Sequence, residues 1–190
     1  MMDQVHLIVL AAGRSSRMGH RDKLMLPIDG APLLVRTVEA AAAAGPAEVI
    51  VVTGPYNYED VLSRYTVRLV QNSDYEEGMG ASIRSGVQAV DPASPFYAIL
   101  PGDMPFIRPR TIASAAEHLD DRSIVVPHFE GMPGHPVFFA ARFREELLSL
   151  RGDVGARGIL RAHAERVVRV DTEDPGIVRD IDTEEAYRRA

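Results

Sequence analysis

Short apolar runs alternate along the chain with segments of helical periodicity. The first run is Val5-His6-Leu7-Ile8-Val9-Leu10, closed by Ala11-Ala12-Gly13. It is apolar on both alternating faces, the pattern of a strand covered on both sides in a parallel sheet. Residues 48–53, 67–70, 96–100, 123–126 and 136–139 repeat that pattern. Between them, Leu33, Leu34, Thr37, Val38, Ala41 and Ala44 recur at helical spacing and stop at Gly45-Pro46. Further helical patterns cover residues 58–65, 81–90, 108–119, 143–150 and 156–163. A last helix is expected from Thr183, where Thr183-Glu184-Glu185 offers a cap followed by first-turn acids.

Strand alternating with helix predicts βαβ units, hence an α/β fold with a doubly wound, mostly parallel sheet. The Gly/Pro-rich stretch from about residue 127 to 150 mixes a turn with short strands and predicts a small antiparallel addition. The chain has 190 residues without repeat or linker, so one domain spanning 1–190 is expected. In such sheets ligands sit beyond the carboxyl ends of the strands, where strand order reverses. The residues just after each strand are therefore the ones to read for chemistry.

Composition narrows the choice. The absence of Cys removes disulfides, thiolate metal sites and thiol nucleophiles. A net charge of −6 lacks the basic field expected of a nucleic-acid binder. The apolar stretch at residues 7–12 is far too short for a membrane span and lacks the basic flank of a signal peptide. A soluble, cytoplasmic protein is the expectation, with a local Arg/Lys site still open to it.

After the first strand comes Leu10-Ala11-Ala12-Gly13-Arg14-Ser15-Ser16-Arg17-Met18-Gly19, with Lys23 shortly beyond. Small residues let a phosphate approach backbone N–H groups, and Arg14, Arg17 and Lys23 supply cations for a triphosphate. Neither Gly-x-Gly-x-x-Gly nor the P-loop sequence is present; a basic surface loop is the simpler alternative. Asp103, in Pro101-Gly102-Asp103-Met104-Pro105, follows another apolar run. A carboxylate there suits Mg²⁺, although a turn Asp bonded to its own backbone is an equal reading. Asp180 and Asp182 stand on alternate positions and face one way if their segment is a strand, whereas Asp182 could instead merely cap the last helix. Residues 71–82, with Asn72, Gly78 and Ser82, form a turn feeding a helix whose first N–H groups are predicted to be free for a flat base.

The string LAAGRSSRMG, with Lys23 and Leu26-Pro27, resembles the signature of the MobA-like nucleotidyltransferases, and within them the molybdenum cofactor cytidylyltransferases. Gly134-His135-Pro136-Val137, Gly152-Asp153-Val154-Gly155-Ala156-Arg157 and Asp180-Ile181-Asp182-Thr183 extend the resemblance to the end of the chain. It implies a Rossmann-like nucleotidyltransferase fold and transfer of a nucleoside monophosphate from an NTP to a phosphate. It further implies Asp103 and Asp182 as Mg²⁺ ligands, Arg17, Lys23 and Asp103 as catalytic, and Leu10, Ala11, Ala12, Gly13, Arg14, Lys23 and Asp103 as nucleotide-binding, with the segment from Gly13 to Lys23 as the triphosphate cradle. Asn72, Gly78 and Ser82 fall to the base and ribose, and His135, Pro136, Asp153 and Arg157 to the acceptor side. Ala12, where guanylyltransferase relatives carry Gly, implies CTP over GTP. The implied acceptor is molybdopterin carrying molybdenum, with a molybdoenzyme as a further partner. Other phosphate acceptors, such as a sugar phosphate, and a non-catalytic delivery protein are the rivals.

Overall fold

In the computed structural model, residues 1–13 and 22–188 are described. The chain runs through β1 (Val5–Ala11), β2 (Pro27–Ile28), β3 (Ala31–Pro32), α1 (Leu33–Ala43), β4 (Glu48–Thr53), α2 (Glu59–Leu62), β5 (Arg68–Gln71), α3 (Met79–Ala89) and β6 (Phe96–Pro101). It continues through α4 (Pro109–Ala116), β7 (Ile124–Phe129), β8 (Met132–Pro133), β9 (Val137–Ala140), α5 (Arg144–Leu148), α6 (Arg157–Ala162), β10 (Val167–Asp171) and α7 (Glu184–Arg188).

β1 lies inside the sheet, parallel to β4 on one side and to β6 on the other. Val5, Leu7, Ile8, Val9 and Ala11 are fully buried there, which explains a run apolar on both faces. The strand order is β10-β7-β9-β6-β1-β4-β5. β9 runs antiparallel between β6 and β7, and β8 pairs antiparallel with β7. The antiparallel addition predicted for residues 127–150 is thus found, but its longer strand lies within the sheet rather than at its margin. β2 and β3 form a separate two-stranded antiparallel pair.

α1 packs with α4, and α3 with α5, giving two helix pairs against the sheet. α3 approaches closely because of Gly86: a Cβ there would stand 2.4 Å from Ile8 Cγ2 and 3.0 Å from Val52 Cγ2. Three expectations change. The helix predicted over residues 58–65 covers only Glu59–Leu62. The segment holding Asp180 and Asp182 is not a strand, since no ladder partner pairs with it. β10, unanticipated, is an edge strand parallel to β7.

The chain builds β4 and β5 outward from β1, then returns to add β6 on β1's other side. The order therefore reverses between β1 and β6, and the crevice beyond their carboxyl ends is where such folds bind ligands.

Candidate active site

The exits of β1 and β6 are tied together. Gly102 N–H donates to the Leu10 carbonyl at 2.9 Å, and a Cβ on Gly102 would stand 2.8 Å from that same oxygen. From α1, the buried Thr37 hydroxyl donates to the Gly102 carbonyl at 3.0 Å. Asp103 is thereby held at the mouth of the crevice. Its own carbonyl accepts Ile181 N–H at 3.2 Å, which brings in a segment 78 positions later.

Ile181 is buried, so its neighbours Asp180 and Asp182 turn outward. One ligand oxygen from each of Asp103, Asp180 and Asp182 lies within 4.8 Å of the others. The alternation expected of a strand survives because Ile181 is pinned, not because a ladder forms. Asp182 is not the cap of α7: the Thr183 hydroxyl accepts Ala186 N–H at 3.1 Å and takes that role.

Lys23 begins a short 3₁₀ turn, Lys23–Met25, capped by the Asp22 side chain. Its ammonium donates to Asp103 Oδ2 at 2.6 Å and to Asp182 Oδ1 at 2.5 Å. Burial pulls the Lys23 pKa down, but Asp103 and then Asp182 more than reverse this and hold it above the ordinary lysine range. Asp180 has the opposite surroundings: burial and the charges of Asp182 and Asp103 raise its carboxyl above the usual range. The donor set is entirely carboxylate oxygen, which fits a hard divalent cation of the Mg²⁺ or Mn²⁺ kind.

These residues open into a cleft of about 710 Å³, within the usual range for small-molecule sites. Leu10, Ala12, Gly13, Lys23, Gly78, Ser82, Asp103, His135, Asp153, Arg157 and Asp182 all line it, although they span most of the chain. Ala11 and Pro136 are buried and lie outside the lining. Asn72 also stands behind the wall, where its amide donates to Ser82 Oγ at 3.2 Å and its Oδ1 accepts Asp74 N–H at 3.0 Å. Arg14 and Arg17 lie outside the described residues.

The start of α3 corrects one expectation. Its first N–H groups were predicted to be free, but Gly80 N–H donates to the Gly152 carbonyl at 2.9 Å, and Met79 N–H faces Asp153 Oδ1 at 3.4 Å. Ala81 N–H donates to the Gly78 carbonyl at 3.2 Å. The loop carrying Gly152 and Asp153 thus covers the helix entry, and the Asp153 carboxylate supplies the negative charge that a helix start favours.

His135 is half-buried, with its backbone N–H donating to the Ile177 carbonyl at 2.8 Å and a cis bond to Pro136. Burial lowers the His135 pKa against the opposing pull of Asp103, so the ring is neutral near pH 7. Arg157, the first residue of α6, is exposed and faces the cleft. Residues that sequence reasoning did not assign also line it, notably Tyr75, Glu76 and Glu77. They lie just before Gly78, so proximity in sequence was the available signal. Glu77 is paired with Arg84 at 3.1 Å.

A model of the MobA-like NTP transferase domain matches residues 7–167. Nicotine blue oxidoreductase of Paenarthrobacter nicotinovorans is 32% identical over 198 residues, covering 95% of this chain and 94% of its own length. Molybdenum cofactor cytidylyltransferase of Escherichia coli is 27% identical over 190 residues, covering 98% and 95%. Among solved structures, the Mycobacterium tuberculosis protein Rv0371c in complex with manganese is similar with a TM-score of 0.81 at 27% identity, covering 98% of this chain and 97% of the other.

Proposed function

The chain belongs to the MobA-like NTP transferase family and is a nucleotidyltransferase, and from that premise we propose that it transfers CMP from CTP to the terminal phosphate of molybdopterin carrying molybdenum. The observation that carries the reading is the meeting of Lys23, Asp103 and Asp182 at the reversal point between β1 and β6. Support for the base comes from Ala12 in Leu-Ala-Ala-Gly, and for the acceptor from the near full-length similarity to molybdenum cofactor cytidylyltransferase.

The acceptor phosphate is ionised near neutral pH, so it needs no general base of the Ser/His/Asp kind. One of its oxygens forms a bond to the α-phosphorus of CTP, the bond from that phosphorus to the β-phosphate oxygen breaks, and pyrophosphate leaves with the electron pair. Asp103 and Asp182 would hold Mg²⁺, which would neutralise charge on the phosphates. Lys23 exchanges a carboxylate for a phosphate oxygen, and the guanidinium groups of Arg14 and Arg17 add charge. Gly78 and Ser82 border the nucleoside, while His135 and Arg157 border the acceptor. Catalysis here is positioning plus charge stabilisation.

Pyrophosphate release, followed with each of the four NTPs and with or without molybdenum-loaded molybdopterin, tests the proposal. CTP with that acceptor should be turned over fastest. A preference for GTP would overturn the base assignment, and release with a sugar phosphate alone would overturn the acceptor.

A further inference from the structure

Lys23 owes its place to two residues, and one of them comes from the far side of β4. Asp22 precedes it, and Asp22 Oδ1 accepts Leu24 N–H at 3.1 Å, closing the 3₁₀ turn on which Lys23 stands. The same oxygen accepts the Tyr58 hydroxyl at 3.1 Å. Tyr58 is 1% exposed, in the connection between β4 and α2, at the N-terminal boundary of that helix. Burial, then the Asp22 charge, raises the Tyr58 pKa well above the ordinary tyrosine range, so the phenol is a permanent donor.

The same connection also touches the chain at Ala12. Gly54, directly after β4, packs so tightly that a Cβ would stand 2.6 Å from the Ala12 carbonyl oxygen. The β4–α2 connection therefore holds the chain at Ala12 and again at Asp22, the two sides of the segment from Gly13 to Arg21. Burying a phenol is costly unless its hydroxyl is hydrogen-bonded, and the bond to the half-buried Asp22 both satisfies it and fixes a neighbour. What it fixes is the backbone one residue before the ammonium that bridges Asp103 and Asp182.

We infer that Tyr58 is a positioning residue for Lys23, acting through Asp22 to hold the ammonium where the triphosphate must meet the carboxylates. This rests on the proposed role of Lys23 toward the nucleotide. It adds a residue that the phosphate loop motif does not contain, on a different βα connection.

The test is a double-mutant cycle read by binding of inorganic tripolyphosphate with Mg²⁺, a probe independent of base and acceptor. Lys23→Ala should weaken that binding by roughly 10- to 100-fold, the loss of a charge-assisted hydrogen bond. Tyr58→Phe keeps the ring and should weaken it by about 3- to 10-fold, only part of what a bond to a carboxylate is worth, because the loss reaches Lys23 through Asp22. In the Lys23→Ala background Tyr58→Phe should have no further effect on binding, while its effect on urea unfolding persists in both backgrounds. Asp22→Ala should behave like Tyr58→Phe, and Asp22→Asn, which keeps an acceptor oxygen, should recover most of the binding. An equal loss from Tyr58→Phe in both backgrounds, or none in either, overturns the inference while leaving the Lys23 reading intact. No loss from Lys23→Ala itself overturns that reading, and the inference with it.

Discussion

Replacing Gly78 by Ala tests how the cleft wall is built. Gly78 has φ +105 and ψ −170, a region open essentially to glycine alone. Holding another residue there costs about 1–3 kcal/mol. The added Cβ would also stand 2.6 Å from Asp153 N, and 2.7 Å from both Asp153 Cα and Gly152 C. These are backbone atoms that cannot rotate aside, so the loop must lift away from α3. Lifting it breaks the bond from Gly80 N–H to the Gly152 carbonyl and the weaker contact of Met79 N–H with Asp153. At roughly 0.5–1.5 kcal/mol each, these bring the loss to about 2–6 kcal/mol. For a chain of this length that lowers Tm by on the order of 10 °C. Urea and thermal unfolding should be compared with two controls. Gly152→Ala has φ +67 but nothing within 4 Å, so it should lose only the ~1–2 kcal/mol of a left-handed residue. Gly158→Ala, in α6 with open space around it, should gain about 0.5–1 kcal/mol. A Gly78→Ala loss no larger than that of Gly152→Ala would refute the close approach of loop and helix.

Three further outcomes are expected. Lys23→Ala should lower kcat by about 10²–10³-fold in a folded protein, as removal of one charge-stabilising donor does; a near-wild-type rate in pyrophosphate release would reject its role. Asp103→Asn and Asp182→Asn should each remove most turnover, and the double variant should be little worse than either, because parts of one device are non-additive; multiplicative losses would separate them. His6 is partly buried, and burial lowers its imidazole pKa below the ordinary 6.5 despite Glu48 nearby. Its contribution to stability is full above the unfolded value and is lost as pH falls through 6.5 toward the folded one, so His6→Gln should flatten the decline in urea stability between about pH 7 and 5; identical pH curves would contradict this.

What was legible in the sequence follows from burial. β1, β4, β6 and β9 are apolar on both faces because each is covered on both sides, and such runs announce themselves. β10 does not, since at the sheet edge its Val residues are only partly buried and Arg169 and Asp171 are exposed. Two-residue strands such as β2 and β8 carry too little pattern to be read. Asp103 and Lys23 could be picked out because each follows a strand or loop of recognisable composition. The coverage of the α3 entry by Gly152 and Asp153 could not, because it joins Gly80 to Gly152, 72 positions apart, through a backbone hydrogen bond. The bond between Tyr58 and Asp22, 36 positions apart, was hidden for the same reason. Asn72 is polar beside a turn, but its burial and its bonds to Ser82 and Asp74 could not be read from that pattern.

The most direct test of the catalytic account is a crystal structure with Mn²⁺ and a non-hydrolysable CTP analogue. The account predicts one ion bound by oxygens of both Asp103 and Asp182 at roughly 2.0–2.3 Å, contacting the triphosphate, with the Lys23 ammonium moved onto a phosphate oxygen. An ion more than about 3 Å from either carboxylate, or a triphosphate bound away from the crevice between β1 and β6, would contradict it.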